Sequence, residues 1–287
     1  MTSPPVGTAL VLAGGGVAGI AWELGVLRGL ADADPALADR VLAADLVVGT
    51  SAGSSVAAQI TSGVPLDELY GAQLRPETAE VETDVDLPAL FADLGAVLAG
   101  VADRTEAGRR IGALALAART VDPAVRMAAI AARLPVPTWP DRRLLVPAVD
   151  AETGELTVFT RDSGVALVDA VAASCAVPGV WPPVPVGVRR FMDGGVRSMA
   201  NSDLAAGAER VLVVLPTLPG SPGLFGGSVD AEFPALAPCD VTVVHADQAS
   251  VEAFGTNPLS PATRAAAARA GRAVGSAAAI RVAAAGW

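Results

Sequence analysis

The sequence has few side chains that could act as a base. It contains one histidine, His245, and all 20 of its basic residues are arginine, so lysine is absent. A serine or cysteine nucleophile needs a base to become reactive. The absence of lysine excludes a serine–lysine mechanism, and catalysis through histidine would depend on His245 alone.

Clustered cations, cysteines and aromatic residues are also scarce. The net charge of the 287-residue chain is −10, which argues against a nucleic-acid partner because contacts to phosphates need clustered cations. The two cysteines, Cys175 and Cys239, form neither a disulfide framework nor a metal-ligand spacing. We therefore expect no metal, no cofactor and a cytoplasmic protein. Cys175 lies in an alanine-rich segment and is predicted to be a small core residue.

No apolar run is long enough to span a bilayer, which takes about 20 consecutive apolar residues. Residues 2–22 carry no charge, but three consecutive glycines at 14–16 interrupt them and no basic residue precedes them. A buried strand at 8–13, a glycine turn and a helix are predicted there rather than a signal peptide.

Strand and helix patterns alternate at both ends of the chain. A second buried strand at 45–49 leads directly into a helix of small residues, and this order predicts an α/β fold with parallel strands whose loops gather at the carboxyl ends. A hairpin around Thr153–Gly154 is predicted to join two further strands. Other predicted elements are a helix at 164–176, strands at 189–195, 210–216 and 240–247, and a long terminal helix.

The middle of the chain, residues 65–135, contains helix patterns without a strand pattern. It is predicted to form either a cap over the sheet or a further helical layer, within one domain spanning 1–287. Two acidic segments, 32–39 and 77–86, are predicted to be solvated surface. Three helices are predicted, with start signals at Asp103–Thr105 and Asp122–Pro123 for the last two: 87–102, 104–120 and 122–134.

Ser51 lies in a G-x-S-x-G pattern between the second strand and its helix, with Gly49 and Gly53 at the two ends. A nucleophile on such a sharp turn requires neighbours without bulk, and the N–H groups of the following helix, starting at Ala52, can stabilise an oxyanion. The alternative is an ordinary turn in which Ser51 only caps the helix.

Gly14-Gly15-Gly16-Val17-Ala18-Gly19 fits the G-x-G-x-x-G pattern of dinucleotide-binding loops. That function requires an acidic residue at the end of the second strand, whereas Asp45 lies at its beginning. The same glycines suit an acyl-transfer site, because residues without Cβ let N–H groups approach an oxyanion closely. We favour the oxyanion loop; a nucleotide-binding or catalytically inactive lipid-binding protein is the alternative.

Asp193 ends a short strand and is followed by Gly194 and Gly195, which can turn the chain sharply and leave the carboxylate uncovered. An ordinary Asp-Gly hairpin turn is the other interpretation. His245 ends a later strand, so Ser51, Asp193 and His245 follow the chain order of an α/β-hydrolase triad. Against a triad, only one strand precedes the serine turn, whereas several normally do in that fold.

The segments GGGVAG, GTSAG and DGG, in this order, resemble the patatin-like phospholipase family. ASCAVPGVWPPV is similar to another segment of that family, with Trp181 where phenylalanine is usual. The residues after DGG, including Asn201, are similar as well. The resemblance covers residues 8–62 and 165–216.

The resemblance implies a three-layer α/β/α fold with a mostly parallel central sheet, a nucleophile turn after the second strand and a helical insertion. It implies a lipid acyl hydrolase with a Ser–Asp dyad, in which Ser51 is the nucleophile and Asp193 the base. The scarcity of other bases agrees with such a dyad. Implied supporting residues are Gly14, Gly15, Gly16 and Ala52 in the oxyanion hole, and Gly49, Gly53, Gly194 and Gly195 in the two turns.

The implied substrate is a lipid-like ester, whose hydrolysis would bring transient contact with a membrane surface. The family's glycine loop often carries Arg or Lys where this chain has Ala18. This departure weakens the expectation of phosphate-headgroup recognition more than that of ester hydrolysis. The sequence carries no feature that indicates an oligomeric state.

Overall fold

One β-sheet of eight strands forms the centre of the computed structural model, which describes residues 6–83, 85–223 and 228–287. The strands are β1 (Val6–Leu12), β2 (Leu46–Gly49), β3 (Arg143–Asp150), β4 (Leu156–Phe159), β5 (Val184–Val186), β6 (Arg189–Asp193), β7 (Ala208–Leu215) and β8 (Asp240–His245). The α-helices are α1 (Gly16–Ala33), α2 (Pro35–Leu42), α3 (Ala52–Ile60), α4 (Leu66–Leu74), α5 (Leu87–Leu98), α6 (Arg104–Ala117), α7 (Pro123–Arg133), α8 (Leu167–Ser174), α9 (Gln248–Phe254) and α10 (Arg264–Ala284).

The strand order is β5-β6-β3-β2-β1-β7-β8, with β4 pairing with β3. The strands from β3 to β8 along this order are parallel, whereas β4, β5 and β6 are attached through antiparallel pairs. Strand β3 belongs to both parts, since residues 143–145 pair with β2 and later residues pair with β4 and β6. The prediction of a mostly parallel sheet and of the hairpin between β3 and β4 is confirmed.

Alternating side chains of the strands divide the core between the two faces of the sheet, as the two-residue period of a strand requires. On one face Leu10 and Leu12 of β1 pack in a cluster with residues of α1, α3, α8 and α10. On the other face Ala9 and Val11 pack against two 3-10 helices, Ser202–Ala205 and Val229–Leu236. Helices α5 and α6 cover the same second face near β3 and β6. The three-layer α/β/α prediction is therefore confirmed.

Helices α5, α6 and α7 of the middle segment begin within one residue of where the sequence predicts them, whereas α4, at the start of the segment, was not predicted. The carboxylates of Asp103 and Asp122 accept hydrogen bonds from the first turns of α6 and α7, as N-cap residues do. Helix α6 lies against β3, and α7 lies against α8. Among the described residues, no helix is long and apolar enough to cross a membrane.

Two features of the acidic segments differ from the prediction. Asp34 caps α2, which buries Leu37 and Val41, so the first segment is a helix with one buried side rather than solvated surface throughout. In the second segment the Glu80 side chain is only 9% exposed because it pairs with Arg133. The second difference arises from a contact between residues 53 positions apart in the chain. Asp84 of that segment lies outside the described residues.

Candidate active site

The sheet register brings the ends of β2 and β6 together. Val48 of β2 pairs with Leu145 of β3, and Asp193 of β6 pairs with Ala148, three residues further along β3. Ser51 is likewise three residues beyond Val48. The two side chains therefore reach the same level of the sheet from either side of β3, although they are 142 positions apart in the chain.

Ser51 adopts a backbone conformation that is rare for a residue with a side chain. Its φ is 52° and its ψ is −116°, which is a strained geometry that the surrounding structure must maintain. A Cβ on Gly53 would lie 2.1 Å from the Leu12 carbonyl oxygen, and one on Gly49 would lie 2.5 Å from the Gly53 oxygen. Glycine is thus required on both sides of the turn.

The Ser51 hydroxyl donates a 2.6 Å hydrogen bond to Oδ2 of Asp193. It makes no capping bond to α3, although Ser51 occupies the N-cap position. The other Asp193 oxygen, Oδ1, accepts a 2.7 Å bond from the N–H of Gly195. The geometry thus supports a role for Ser51 other than capping, since its hydroxyl points at a carboxylate.

Burial raises the pKa of Asp193 to about 6, even though its hydrogen bonds to Ser51 and Gly195 and the nearby Arg126 act in the opposite direction. Both side chains are almost inaccessible, with 7% of Ser51 and 5% of Asp193 exposed. A carboxylate with this pKa is ionised at neutral pH and is a stronger proton acceptor than an ordinary aspartate. The pair can therefore transfer a proton from the hydroxyl without an imidazole.

Two polar residues connect this turn to its surroundings. Ser174 at the end of α8 accepts a 3.0 Å bond from the Ser51 N–H and donates a 2.7 Å bond to the Pro147 carbonyl. The side-chain amide of Asn201, a fully buried residue, lies 3.1 Å from Thr50 Oγ1. It also reaches the Gly194 carbonyl at 3.2 Å. Ser174 and Asn201 both lie in segments that resemble the family, but no local sequence pattern predicts this positioning role for either residue.

The glycine loop lies between β1 and α1, beside the serine turn. The Gly14 N–H donates a 2.8 Å bond to the Met199 carbonyl, so it is occupied, contrary to the prediction that it helps form an oxyanion hole. The reason is that the chain after the DGG turn runs back against the loop. The N–H groups of Gly15, Gly16 and Ala52 donate to no acceptor within the described residues. Gly16 and Ala52 belong to the first turns of α1 and α3, and the N–H groups of a first helical turn have no intrahelical acceptor.

His245 lies away from Ser51 and Asp193. It ends β8, and β1 and β7 lie between β8 and β2 in the sheet. Its Nδ1 is 3.3 Å from the Thr217 carbonyl and its Nε2 is 3.5 Å from Asp230 Oδ1. Within the described residues it contacts neither Ser51 nor Asp193. The structure therefore does not bring the three residues of the alternative triad together.

A narrow cavity of about 10 Å³ adjoins Ser51, which is room for about one water molecule. A separate cavity of about 650 Å³ lies beside it, among α1, α4 and α7. The two share Val17 and Arg133 in their walls. The narrow cavity is lined by Gly16, Val17, Ser51, Ala52, Arg126, Arg133, Cys175, Val177, Trp181 and Leu259.

Two arginines of α7 line the narrow cavity, and no sequence pattern marked either of them. Arg133 forms two 2.6 Å hydrogen bonds with the Glu80 carboxylate, and both side chains are more than 90% buried. Burial opposes ionisation of Glu80, but the attraction of Arg133 outweighs it and holds the pKa of Glu80 below its usual value. The Arg126 guanidinium stacks on the Trp181 ring at 3.8 Å. Burial, together with the neighbouring Arg133, lowers the pKa of Arg126 to about 10, so it stays charged at neutral pH.

Comparison with known proteins gave one family and a set of distant structures. The model of the family described as patatin-like phospholipase matches residues 10–206. No curated protein matches the chain. Among solved structures, the type III effector protein ExoU is 18% identical, with a TM-score of 0.44 over 98% of this chain. VipD from Legionella pneumophila is 12% identical, with a TM-score of 0.46 over 98% of this chain. The chain spans 54% of the ExoU chain and 67% of the VipD chain.

Proposed function

Because the chain belongs to the patatin-like phospholipase family, we propose that it is a serine hydrolase that cleaves carboxylic esters of lipids through a Ser51–Asp193 dyad. The observation that carries this proposal is the 2.6 Å hydrogen bond from Ser51 Oγ to a buried carboxylate whose pKa is raised to about 6. The family supplies the reaction class, lipid acyl hydrolysis. The residues and their roles are inferred from the geometry.

Acylation would begin with transfer of the Ser51 hydroxyl proton to Asp193 as Oγ attacks the ester carbonyl carbon. The carbonyl oxygen then becomes the oxyanion of a tetrahedral intermediate. The free N–H groups of Gly15, Gly16 and Ala52 are the candidate donors to this oxygen, and preorganised donors of this kind stabilise developing charge strongly. Gly14 is left out of this set because its N–H is already bonded to Met199.

The intermediate would collapse by breaking the bond to the alcohol, which takes the proton held by Asp193. The acyl group then remains on Ser51 as an ester. In the second half of the reaction a water molecule gives a proton to Asp193 and attacks this acyl-enzyme. The carboxylic acid is released, and the proton returns to Ser51 Oγ. One carboxylate thus acts alternately as base and acid.

The site must open to admit a lipid, since the cavity at Ser51 has room for about one water molecule. Val177 and Leu259 in its walls are apolar side chains that an acyl group would displace. We propose that the apolar helices of the middle segment, within a single domain, help cover the acyl group. A water-insoluble substrate would bring the protein into transient contact with a membrane surface.

The proposal is tested by hydrolysis of a p-nitrophenyl ester chain-length series, run beside a panel of phospholipids. We expect turnover by the wild type and a loss of at least about 10³-fold in Ser51→Ala, as for other serine nucleophiles. Ser55→Ala is the matched control, because it removes the same hydroxyl one turn further along α3, and it should stay within a few-fold of wild type. Retained activity in Ser51→Ala, or a wild type that hydrolyses no ester, would contradict the proposal.

A further inference from the structure

Arg126 carries hydrogen-bonding capacity that the protein itself does not satisfy. Its side chain is buried, with 4% of the residue exposed, yet Nε and Nη1 have no acceptor among the described residues. Nη2 has one weak contact, 3.4 Å from the Cys175 carbonyl. A buried charged donor without an acceptor is costly, and native proteins retain few of them without a purpose.

The anionic groups nearest to Arg126 are already occupied by other partners. Both oxygens of Glu80 are bonded to Arg133. The two oxygens of Asp193 accept from Ser51 and Gly195. Asp193 and Glu80 attract the Arg126 charge at longer range, and Arg133 repels it. The guanidinium is therefore a fixed cation whose free N–H groups have no anionic oxygen bonded to them.

The position of Arg126 places this cation where a substrate would bind. Arg126 lines the same narrow cavity as Ser51 and Ala52. Its stacking on the Trp181 ring holds the guanidinium plane in one orientation. A planar guanidinium presents its N–H groups in a fork that matches the oxygens of phosphate or carboxylate. The chemistry of the guanidinium and its position beside Ser51 together indicate a subsite for an anion next to the reacting ester.

We propose that Arg126 is a specificity-determining residue that binds a phosphate or carboxylate group carried by the ester substrate, beside the bond that Ser51 attacks. This inference rests on the proposed esterase function and deepens it. It means that anionic lipids are preferred over neutral esters with the same acyl chains. The free donors Nε and Nη1 are the atoms that would bind the anionic oxygens.

The first experiment compares two substrates that differ only in the phosphate group: dioctanoyl phosphatidic acid and dioctanoylglycerol, at equal mole fraction in neutral detergent micelles. We expect the wild-type kcat/KM to favour phosphatidic acid by about 10- to 100-fold, the range of a charge-assisted hydrogen bond. In Arg126→Gln this ratio should fall to about 1, and in Arg126→Lys it should be intermediate. Arg110→Gln, at an exposed position on α6, removes one positive charge elsewhere and should leave the ratio unchanged.

A second experiment asks whether the anion must be part of the substrate. Inorganic phosphate should inhibit wild-type hydrolysis of p-nitrophenyl butyrate competitively, and Arg126→Gln should weaken that inhibition. If phosphate inhibits through Arg126 but phosphatidic acid is not preferred, the site binds a free anion and the specificity proposal is wrong. Circular dichroism shows whether Arg126→Gln is folded. If it is not, the lipid preference of the wild type and its inhibition by phosphate still test the proposal.

Two other outcomes overturn the proposal. Equal losses on the two lipids in Arg126→Gln, with an unchanged ratio and a shifted pH–rate profile, would mean that Arg126 acts only through Asp193. A wild type with no preference between the two lipids would mean that the cavity does not recognise the phosphate. Failure of the esterase function itself is distinguishable, because then neither lipid nor p-nitrophenyl butyrate would be hydrolysed.

Discussion

The serine turn and the arginines of α7 line the same small cavity but are held in place in different ways. The turn is fixed by backbone geometry and by hydrogen bonds that satisfy Ser51 and Asp193 within the protein. The α7 side is fixed by side chains from distant parts of the chain, and Arg126 is left with free donors. The hydrogen bonds of the first region are satisfied within the protein, whereas in our proposal a bound anion would satisfy the free donors of the second.

Burial acts on both regions and moves their pKa values in opposite directions. It raises the pKa of Asp193 to about 6 and lowers the pKa of Arg126 to about 10. In each case the low-dielectric surroundings disfavour the charged form. For Asp193 the result is a better base, and for Arg126 it is a cation that gains from any anion bound beside it. Substitutions in the two regions should therefore have different consequences.

Asp193→Asn is expected to have the largest effect, a loss of at least about 10³-fold in kcat for ester hydrolysis, or about 4 kcal/mol of transition-state stabilisation. The amide cannot accept the Ser51 proton, although it preserves the size of the side chain. Initial rates on a p-nitrophenyl ester measure the loss. Asp240→Asn, at an exposed residue of β8, is the matched control and should stay close to wild type.

The same substitution should stabilise the fold. The pKa of Asp193 is raised from 3.8 to about 6 on folding, so between these pH values the folded protein binds more protons than the unfolded chain. Stability therefore decreases as pH rises through this window. Asp193→Asn avoids that loss and should add on the order of 2–3 kcal/mol to the free energy of unfolding at pH 8, with little gain near pH 4. Urea unfolding at both pH values checks this, and an equal gain at pH 4 would argue against a raised pKa.

Glu80→Gln should destabilise the α7 side by about 3–5 kcal/mol, because it leaves Arg133 buried without its counter-charge and close to Arg126. Glu106→Gln removes a carboxylate from an exposed ion pair on α6 and should leave the stability nearly unchanged. Denaturant unfolding of the two variants gives the comparison. Similar effects of the two substitutions would show that the Arg133–Glu80 pair has no special importance.

Gly53→Ala should cost about 3 kcal/mol of stability, since the new Cβ would lie 2.1 Å from the Leu12 carbonyl and force the backbone apart. Gly71→Ala, inside α4 with open space around the added atom, should be neutral or slightly stabilising. Thermal unfolding separates the two. If Gly53→Ala were as stable and active as wild type, the turn would not require the close approach of Gly53 to the Leu12 carbonyl.

His245→Ala should have the smallest effect, with kcat/KM within about threefold of wild type, as for a substitution away from the reacting groups. Its ring contacts Thr217 and Asp230 rather than Ser51 or Asp193. Initial rates at pH 8 are sufficient to measure the change. A loss of two orders of magnitude would instead favour the triad mechanism.

The two regions also differ in how well the sequence predicts them. The serine turn depends on glycines at fixed spacing between a strand and a helix, and that pattern is local, so it was visible in the residues around Ser51. Pairing of Ser51 with Asp193 was implied only by a family resemblance, because the sheet register that joins them spans distant strands. Their catalytic roles stay predictions.

No local sequence pattern predicts the arrangement of Arg126 and Arg133 on α7. Arg126 and Arg133 lie in a correctly predicted helix, yet nothing in its periodicity indicates that they face Trp181 and Glu80. The short helices α2 and α4 were not predicted either. The bond from the Gly14 N–H to the Met199 carbonyl could not be predicted either. The two residues are 185 positions apart, and no local pattern indicates that they meet.

Covalent labelling with a fluorophosphonate, followed by peptide mass spectrometry, tests the proposed Ser51–Asp193 dyad most directly. We expect a single adduct on Ser51, with a labelling rate that rises as pH increases through about 6, where Asp193 loses its proton. Ser51→Ala should not be labelled, and Asp193→Asn should react far more slowly. An adduct on another residue, no adduct on Ser51, or equally fast labelling of Asp193→Asn would contradict the Ser51–Asp193 dyad.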